Sequence, residues 1–555
     1  RQTKLNYLVF KAEKQSDEGN KGEGGKEGSV EDIIIATTRP ELLHALLSVL
    51  VNPTDEKNKH LIGATAVSPH FNKRVPILAD EDVDPLFGTG IVMNCSFGDK
   101  QDVVWAYRHK LTAVEAIDVS GRLVNAGELN GLKVAPAKEK IIELLKDKEL
   151  LKKQDDVQQV VKTHDRCGKP VELLATNQWF ISVKDHKEKI IEAAKSMRWV
   201  PSFSIQYLVD WTNFIEWDWV ISRQNVYGTP IPFWHCGKCG KIFEPKKEEL
   251  PVDPALHKFK HAKECECGGE IIGETAVCDC WVDSSITPLV ISGWEDGDVD
   301  KRKLFNKVYP VSLRPQGLEI IRTWAFYTIF RSLVLTGEPC FKDVLINGNV
   351  LGTDGKKMSK SAGNFEDPNA LFAKYSADAI RQWAALSGAF AKDRPFNYKD
   401  IEYSQSFLNK LWNAGKFVQA STQDYDGKKV AYADLRATDK WVLSRLNQLV
   451  KKATKAMNEY DYYSAITAIQ GFVWHEFCDY YLEDVKYRTY GSDAKSKKSA
   501  QYALKTALLT SLKLLAPFAP FVTDEIYREF SKKPKSIHQA DWPAVEEEFI
   551  NESVE

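Results

Sequence analysis

Gly352-Thr353-Asp354-Gly355-Lys356-Lys357-Met358-Ser359-Lys360-Ser361-Ala362-Gly363-Asn364 sets several lysines and two serines in a glycine-flanked stretch. A loop of this kind can wrap a polyphosphate, although it is no Walker loop, because Val350 stands where the first glycine would be. Taken alone, such a charge run reads more simply as a solvated turn. A second group is acidic: Asp99 and Asp102 are close enough in one turn to share a site, where one carboxylate anchors an ammonium and the other orients water. Its plain alternative is a surface turn, with Arg39 as an ion-pair partner. A third group is Cys236-x-x-Cys239 followed by Cys265-x-Cys267, four thiols fit for a tetrahedral metal, Zn2+ above all, with His261 as a reserve ligand. The second hook is one residue short of the usual spacing and strains that geometry.

The lysine stretch follows a strand-like run, Val344-Leu345-Ile346, and Val308 to Leu313 reads as a second strand followed by a Pro-Gln-Gly turn and a helical run from Glu319 to about Leu335. Repeated strand, loop and helix predict a parallel sheet whose crevice lies at the carboxyl ends of its strands. Before it, short β-branched runs such as Ile33-Ile34-Ile35 and Ile91-Val92-Met93 predict a mainly β unit, and residues 12 to 31 are a low-complexity Gly, Lys and Glu loop between two strands. After Ile401, apolar residues recur at three- and four-residue spacing, as in Phe407, Leu408 and Leu411, which predicts a helical bundle.

With 555 residues the chain needs several cores, and 43% hydrophobic and 27% charged residues exclude disorder. A membrane role is not favoured either, since no apolar run approaches the ~18 residues a helical span needs. A net charge of −2 neither supports nor opposes a nucleic-acid partner. Six of the ten cysteines fall between Cys236 and Cys280, which points to metal and a reducing cytoplasm rather than disulfides. Arg1-Gln2-Thr3-Lys4 has neither an initiating methionine nor a following signal-peptide core, so the expectation is a chain that starts mid-protein.

Lys357-Met358-Ser359-Lys360-Ser361 reproduces the KMSKS signature, and with it the chain resembles class I aminoacyl-tRNA synthetases, specifically their valyl branch. The resemblance implies an α/β multidomain fold: a mainly β, CP1-like editing domain at 1–171, an incomplete Rossmann-like catalytic portion at 172–400 and a helical anticodon-binding domain at 401–555. The catalytic portion would carry a zinc-knuckle-like insert at 234–270 and the lysine loop at 352–364. It also implies that Lys357, Ser359 and Lys360 are catalytic, and that ATP, with Mg2+, is bound by Gly317, Glu319, Lys357, Met358 and Lys360. Trp281, Ile320 and Trp324 would wall the valine pocket. Glu319 alone reads equally as a first-turn helix acid, and the tryptophans alone as core.

Ala36-Thr37-Thr38-Arg39-Pro40-Glu41 and Phe87 to Asp102 resemble the valyl editing domain, which implies Thr37, Thr38, Arg39, Glu41, Asp99 and Asp102 as editing residues. Isoleucyl relatives carry Thr-Pro-Trp where Thr38-Arg39-Pro40 stands. Met93 replaces a lysine of many valyl enzymes, which puts a lysine-assisted hydrolysis in doubt. Glu264 stands where relatives place their third knuckle cysteine. The HIGH signature has no counterpart, so the resemblance implies a chain that activates no amino acid alone and partners valine, ATP, tRNA(Val) and a separate N-terminal fragment that carries that motif. Competing functions are a stand-alone hydrolase of mischarged tRNA, an isoleucyl-type fragment and a non-catalytic tRNA binder.

Overall fold

The computed structural model describes residues 2–14, 29–164, 168–174, 176–294, 299–360, 363–388, 390–530 and 536–554. Most of the low-complexity loop, residues 15–28, and Ser361 lie outside them. The chain divides into two compact units, Arg1–Gln178 and Trp179–Glu555.

The first unit is built on one sheet. Strand β1 (Gln2–Glu13) alternates inward Leu8, Phe10 and Ala12 with outward neighbours, as a half-buried strand must. It pairs antiparallel with β2 (Val30–Thr37). The sheet runs on in the order β2-β1-β4-β5-β3-β6, with β3 at Leu46–Val51, β4 at Thr65–Val67, β5 at Arg74–Ala79 and β6 at Ile91–Cys95. Most neighbours are antiparallel, but β3 and β5 are parallel. Helix α1 (Lys100–Arg108) follows β6 directly. Helix α2 (Val134–Asp147) buries Ala137, Ile141 and Leu145, a stripe at four-residue spacing, and strand β7 (Leu151–Gln158) returns beside β1.

In the second unit a short parallel sheet has the order β12-β13-β8, from β8 (Arg198–Val200), β12 (Val311–Gly317) and β13 (Phe341–Asn347). Between these strands lie the knuckle strands β9 (Trp234–Cys236), β10 (Ile242–Phe243) and β11 (Ile271–Gly273), and the five-residue helix α3 (Cys280–Ser284). The connection from β12 to β13 is a 3-10 turn at Leu318–Ile320, a π turn at Ile321–Ala325 and helix α4 (Phe326–Thr336). Gly337 ends α4 in the left-handed conformation, with φ of 78°, where a Cβ is disfavoured.

Beyond β14 (Val350–Leu351) and its parallel partner β15 (Arg394–Pro395) the chain is helical: α5 (Tyr398–Ser421), α6 (Ala437–Asn458), a helical stretch from Tyr462 to Thr489 with π turns at Phe472–Tyr481, α7 (Ala494–Leu515) and α8 (Pro520–Glu529). Pro520 opens α8, where its missing N–H does no harm. The bundle core gathers Phe407, Leu411, Val442, Leu446, Phe477 and Leu508, and it also takes in Tyr375, Ala379, Trp383 and Phe396 from before residue 400. Among the described residues no helix is long and apolar enough to cross a membrane.

Candidate active sites

In the first unit the loop after β2 and the turn after β6 converge. Arg39 binds Glu41 through Nε at 2.6 Å, the Gly98 carbonyl through Nη1 at 3.0 Å and Glu172 through Nη2 at 2.7 Å. Burial alone would disfavour its charge, but Glu41 and Glu172 outweigh that and push its pKa up. Thr37 is buried and its hydroxyl accepts the Arg39 N–H at 3.0 Å, while the Thr38 carbonyl accepts from Lys138 at 2.7 Å. Glu41 is 1% exposed, and its Oε2 has no partner among the described residues.

Asp99 and Asp102 form a capping box on α1. The Asp99 carboxylate accepts the Asp102 N–H at 3.0 Å, and the Asp102 carboxylate accepts the N–H groups of Asp99 at 3.1 Å and Cys95 at 3.3 Å. Gly98 has no room for a Cβ because the Asp102 carboxylate lies against its Cα. Two donated N–H groups favour the anion of Asp102. Burial, and after it Asp99, win, and its pKa is pushed up to about 8. Near neutral pH a buried carboxyl therefore carries a proton beside Asp99. Among the described residues Arg39, Glu41, Asp99 and Asp102 thus form one connected set, with Thr37 and Thr38 supporting it. Glu172, far along the chain from Arg39, gave no signal in spacing.

In the second unit the strand register sets the site. Gly317, at the end of β12, pairs with Asn347, at the end of β13, so both strands release their loops at one edge of the sheet. Glu319 is exposed and folds its carboxylate against Gly317, where a Cβ would collide with it. After β14 the loop is a compact hairpin: Gly352 donates to the Lys356 carbonyl at 2.7 Å, and Asn364 receives the Ser359 N–H at 2.9 Å while donating to Asp354 at 3.2 Å. Lys357 and Lys360 are exposed, and Met358 packs on the helical core. Lys360 reaches over the Phe365 ring and borders an open groove of about 530 Å³ with Gly363, Asp367 and Asn369. Bundle and sheet meet where Tyr460 donates to Asp343 of β13 at 2.6 Å.

Trp281 and Trp324 are half-buried and joined by backbone. Trp281 lies on α3, which Asp279 caps by accepting the Trp281 N–H at 3.3 Å, while Arg223 at 2.5 Å and the Trp219 indole at 3.2 Å fix Asp279. At the other end of α3 the Ser284 carbonyl accepts the Trp324 indole N–H at 3.1 Å, and Arg331 donates to the Val282 carbonyl. Arg314 of β12 lays its guanidinium over the Trp324 ring, and burial pushes its pKa down to about 10. Ile320 precedes the π turn that carries Trp324.

The four knuckle sulfurs, from Cys236, Cys239, Cys265 and Cys267, lie within 4.8 Å of one another. That matches a tetrahedron around one ion with ~2.3 Å bonds to sulfur. The cluster can therefore hold a metal, with both sulfurs of the short second hook within reach of the first. Backbone N–H groups of Cys239 and Lys238 point at Cys236 Sγ and bring its pKa down, while the Cys236 and Cys239 sulfurs push the neighbouring Cys267 thiol up. His261 binds Glu249 at 3.0 Å and stays outside the cluster.

The family model described as "tRNA synthetases class I (I, L, M and V)" matches residues 39–396, and that of "Anticodon-binding domain of tRNA ligase" matches residues 439–555. The chain is 46% identical over 533 residues to a protein of Pyrococcus furiosus named "Valine--tRNA ligase", a match that covers 94% of this chain and 60% of that one. A protein of the same name from Methanocaldococcus jannaschii is 45% identical and covers all of this chain, against 61% of its own length. The chain thus spans about 60% of the curated relatives it matches. A solved ternary complex of an Agrobacterium radiobacter LeuRS with tRNA and LeuAMS superposes with a TM-score of 0.52 at 20% identity, over 99% of this chain and 63% of that one.

Proposed function

The chain belongs to the class I tRNA synthetases, and on that premise we propose that it is a large part of a valine–tRNA ligase, cytoplasmic, with hydrolytic editing of threonine mischarged onto tRNA(Val). The reading rests above all on one observation. Gly317 and Asn347 end neighbouring parallel strands, so the Gly317–Glu319 turn that leads to Trp324 and the chain that continues through β14 into the lysine loop both start from the carboxyl ends of that sheet.

At that edge Gly317 and Glu319 take the adenosine, with Glu319 accepting from the ribose hydroxyls. Lys357 and Lys360, steadied by Ser359 and Met358, face the triphosphate, which arrives with Mg2+. A carboxylate oxygen of valine attacks the α-phosphorus and the bond to pyrophosphate breaks. The lysines offset the charge that gathers on the departing group, and positioning and electrostatics supply most of such catalysis. Trp281, Ile320 and Trp324 form an apolar pocket that rejects longer side chains. Such a pocket rejects the added hydroxyl of threonine by only ~10²-fold, the established figure for this class of enzyme rather than one worked from this pocket, so a second hydrolytic site is required. Residues 1–171 supply that site through Thr37, Thr38, Arg39, Glu41, Asp99 and Asp102. Residues 172–400 carry activation and 401–555 hold the tRNA.

Among the described residues β12 has no partner on its outer edge, and the amide of Gln316, 4% exposed, has no hydrogen bond. Both features favour a further segment that docks beside β12, completes the crevice and brings the histidines that contact ATP; activation depends on it. The cysteine cluster takes Zn2+ in a structural role. Unit one, with its own core, favours a second reading in which it hydrolyses mischarged tRNA without ATP.

The test is charging of a tRNA(Val) transcript with labelled valine, by the chain supplied with the part of the Pyrococcus furiosus relative that it does not span. Valine should be attached in preference to isoleucine, and threonyl-tRNA(Val) should be cleared by the chain alone. Preferential attachment of isoleucine would overturn the assignment.

A further inference from the structure

Lys73 stands just before β5, and the pleat gives its direction. Val75 and Ile77 point inward, 5% and 0% exposed, and Lys73 shares their side of the strand. Val49 of β3 pairs with both Ile77 and Met93, so the face that Lys73 shares with Val75 and Ile77 also carries Met93 and, two residues on, Cys95. Lys73 lies at the end of that face nearest the turn after β6. Its ammonium donates to the His44 carbonyl at 3.2 Å, and the next carbonyl, that of Ala45, accepts the Ser96 N–H at 2.9 Å. The cation therefore sits beside the Cys95–Ser96 segment that leads into Gly98, Asp99 and Asp102.

A half-buried ammonium is normally matched by a carboxylate. Among the described residues none lies within 4.0 Å of the Lys73 ammonium, whose hydrogen bond goes to a neutral carbonyl. Arg39, the cation within the set, already binds two carboxylates, Glu41 and Glu172, and the Gly98 carbonyl. Burial brings the Lys73 pKa down, and the field of Lys73 reaches the Cys95 thiol together with those of Asp102, Arg39 and Glu41.

We propose that Lys73 is the working cation of the hydrolytic pocket, its ammonium stabilising the oxyanion formed when water adds to the ester carbonyl of a mischarged aminoacyl-tRNA. This rests on the editing reading of the first unit. The water oxygen bonds to the carbonyl carbon, the ester C–O bond breaks, and the proton lost by water ends on the departing ribose oxygen. A preformed, water-poor positive charge at the developing oxyanion commonly contributes 10²- to 10³-fold in rate.

The experiment measures hydrolysis of threonyl-tRNA(Val) by the full chain and by Lys73→Met, Lys73→Gln and Lys73→Arg variants, each checked by thermal melting. Lys73→Met should lower kcat by about 10²-fold with KM unchanged. Lys73→Gln, which keeps a donor for the His44 carbonyl, should fall as far and serves in its place if the methionine variant does not fold. Lys73→Arg should stay within about tenfold of the parent. A folded Lys73→Gln variant at the parental rate overturns the proposal and leaves the editing reading standing. A parent chain that does not outpace spontaneous hydrolysis overturns both.

Discussion

Asp439→Ala is the most demanding test of the helical region. Asp439 is fully buried near the start of α6 and takes two bonds from Arg488, at 2.7 and 2.6 Å, one from the Tyr481 hydroxyl at 2.6 Å and one from Ser499. Arg488 is 4% exposed, and no other carboxylate pairs with it among the described residues. Removing the carboxylate leaves a guanidinium that cannot give up its proton in a site closed to water. Breaking such a pair costs about 3–5 kcal/mol. The loss at Tyr481 and Ser499 belongs to the same network and is not added separately. For a region of this size each kcal/mol moves Tm by ~2–4 °C, so melting of the bundle should fall by about 10 °C. The assay is urea and thermal unfolding, with hydrogen exchange read on α6 and α7. A double variant, Asp439→Leu with Arg488→Met, removes both charges and should recover most of the loss. A loss under about 1 kcal/mol in the single variant, or a double variant no better than the single one, would refute the reasoning.

Asp102 holds its proton to about pH 8 in the fold and only to about pH 4 when unfolded, so its stabilising contribution is complete below pH 4 and is lost as pH rises toward 8. The parent should therefore lose first-unit stability across that window in denaturant titrations, and Asp102→Asn, which removes the titrating group while keeping an acceptor for one of the two backbone N–H groups, should flatten the decline. Purified chain should hold one zinc per molecule by elemental analysis, and Cys239→Ser together with Cys265→Ser should abolish it; retained metal would contradict the four-thiolate site. In the chain completed by the remaining part of a relative, Arg331→Met should raise the KM for valine several-fold with a smaller effect on ATP, because the Val282 carbonyl that steadies the helix of Trp281 loses its donor; equal effects on both substrates would reject that role.

Contiguous signals were legible in the sequence. The lysine loop, the strand at Val344 to Ile346, the acidic turn and the first cysteine hook each lie within a few residues and take the expected local form. The strand expected at Val308 to Leu313 instead runs over Val311–Gly317 and includes the Pro315-Gln316-Gly317 expected as a turn, because an edge strand tolerates the missing N–H of Pro315. The second hook looked strained on spacing, yet its sulfurs close on the first pair, because β9 and β11 pair antiparallel with each other and bring Cys236 and Cys267, 31 residues apart, to 3.4 Å. Glu172 and Lys73 were illegible, since Arg39 meets the first across 133 residues of chain and only the sheet register brings the second near Cys95. The acidic pair was read as two groups facing substrate. The fold spends much of Asp102 on backbone N–H groups, which a sequence spacing of three also allows, as a capping box.

Valine-dependent exchange of labelled pyrophosphate into ATP tests the central claim most directly, with the chain completed by the remaining part of a relative. The account predicts exchange with valine that exceeds exchange with isoleucine, and a drop of at least 10²-fold when Lys357 and Lys360 are both replaced by alanine. Exchange that survives that double replacement, or that isoleucine drives better than valine, would contradict it.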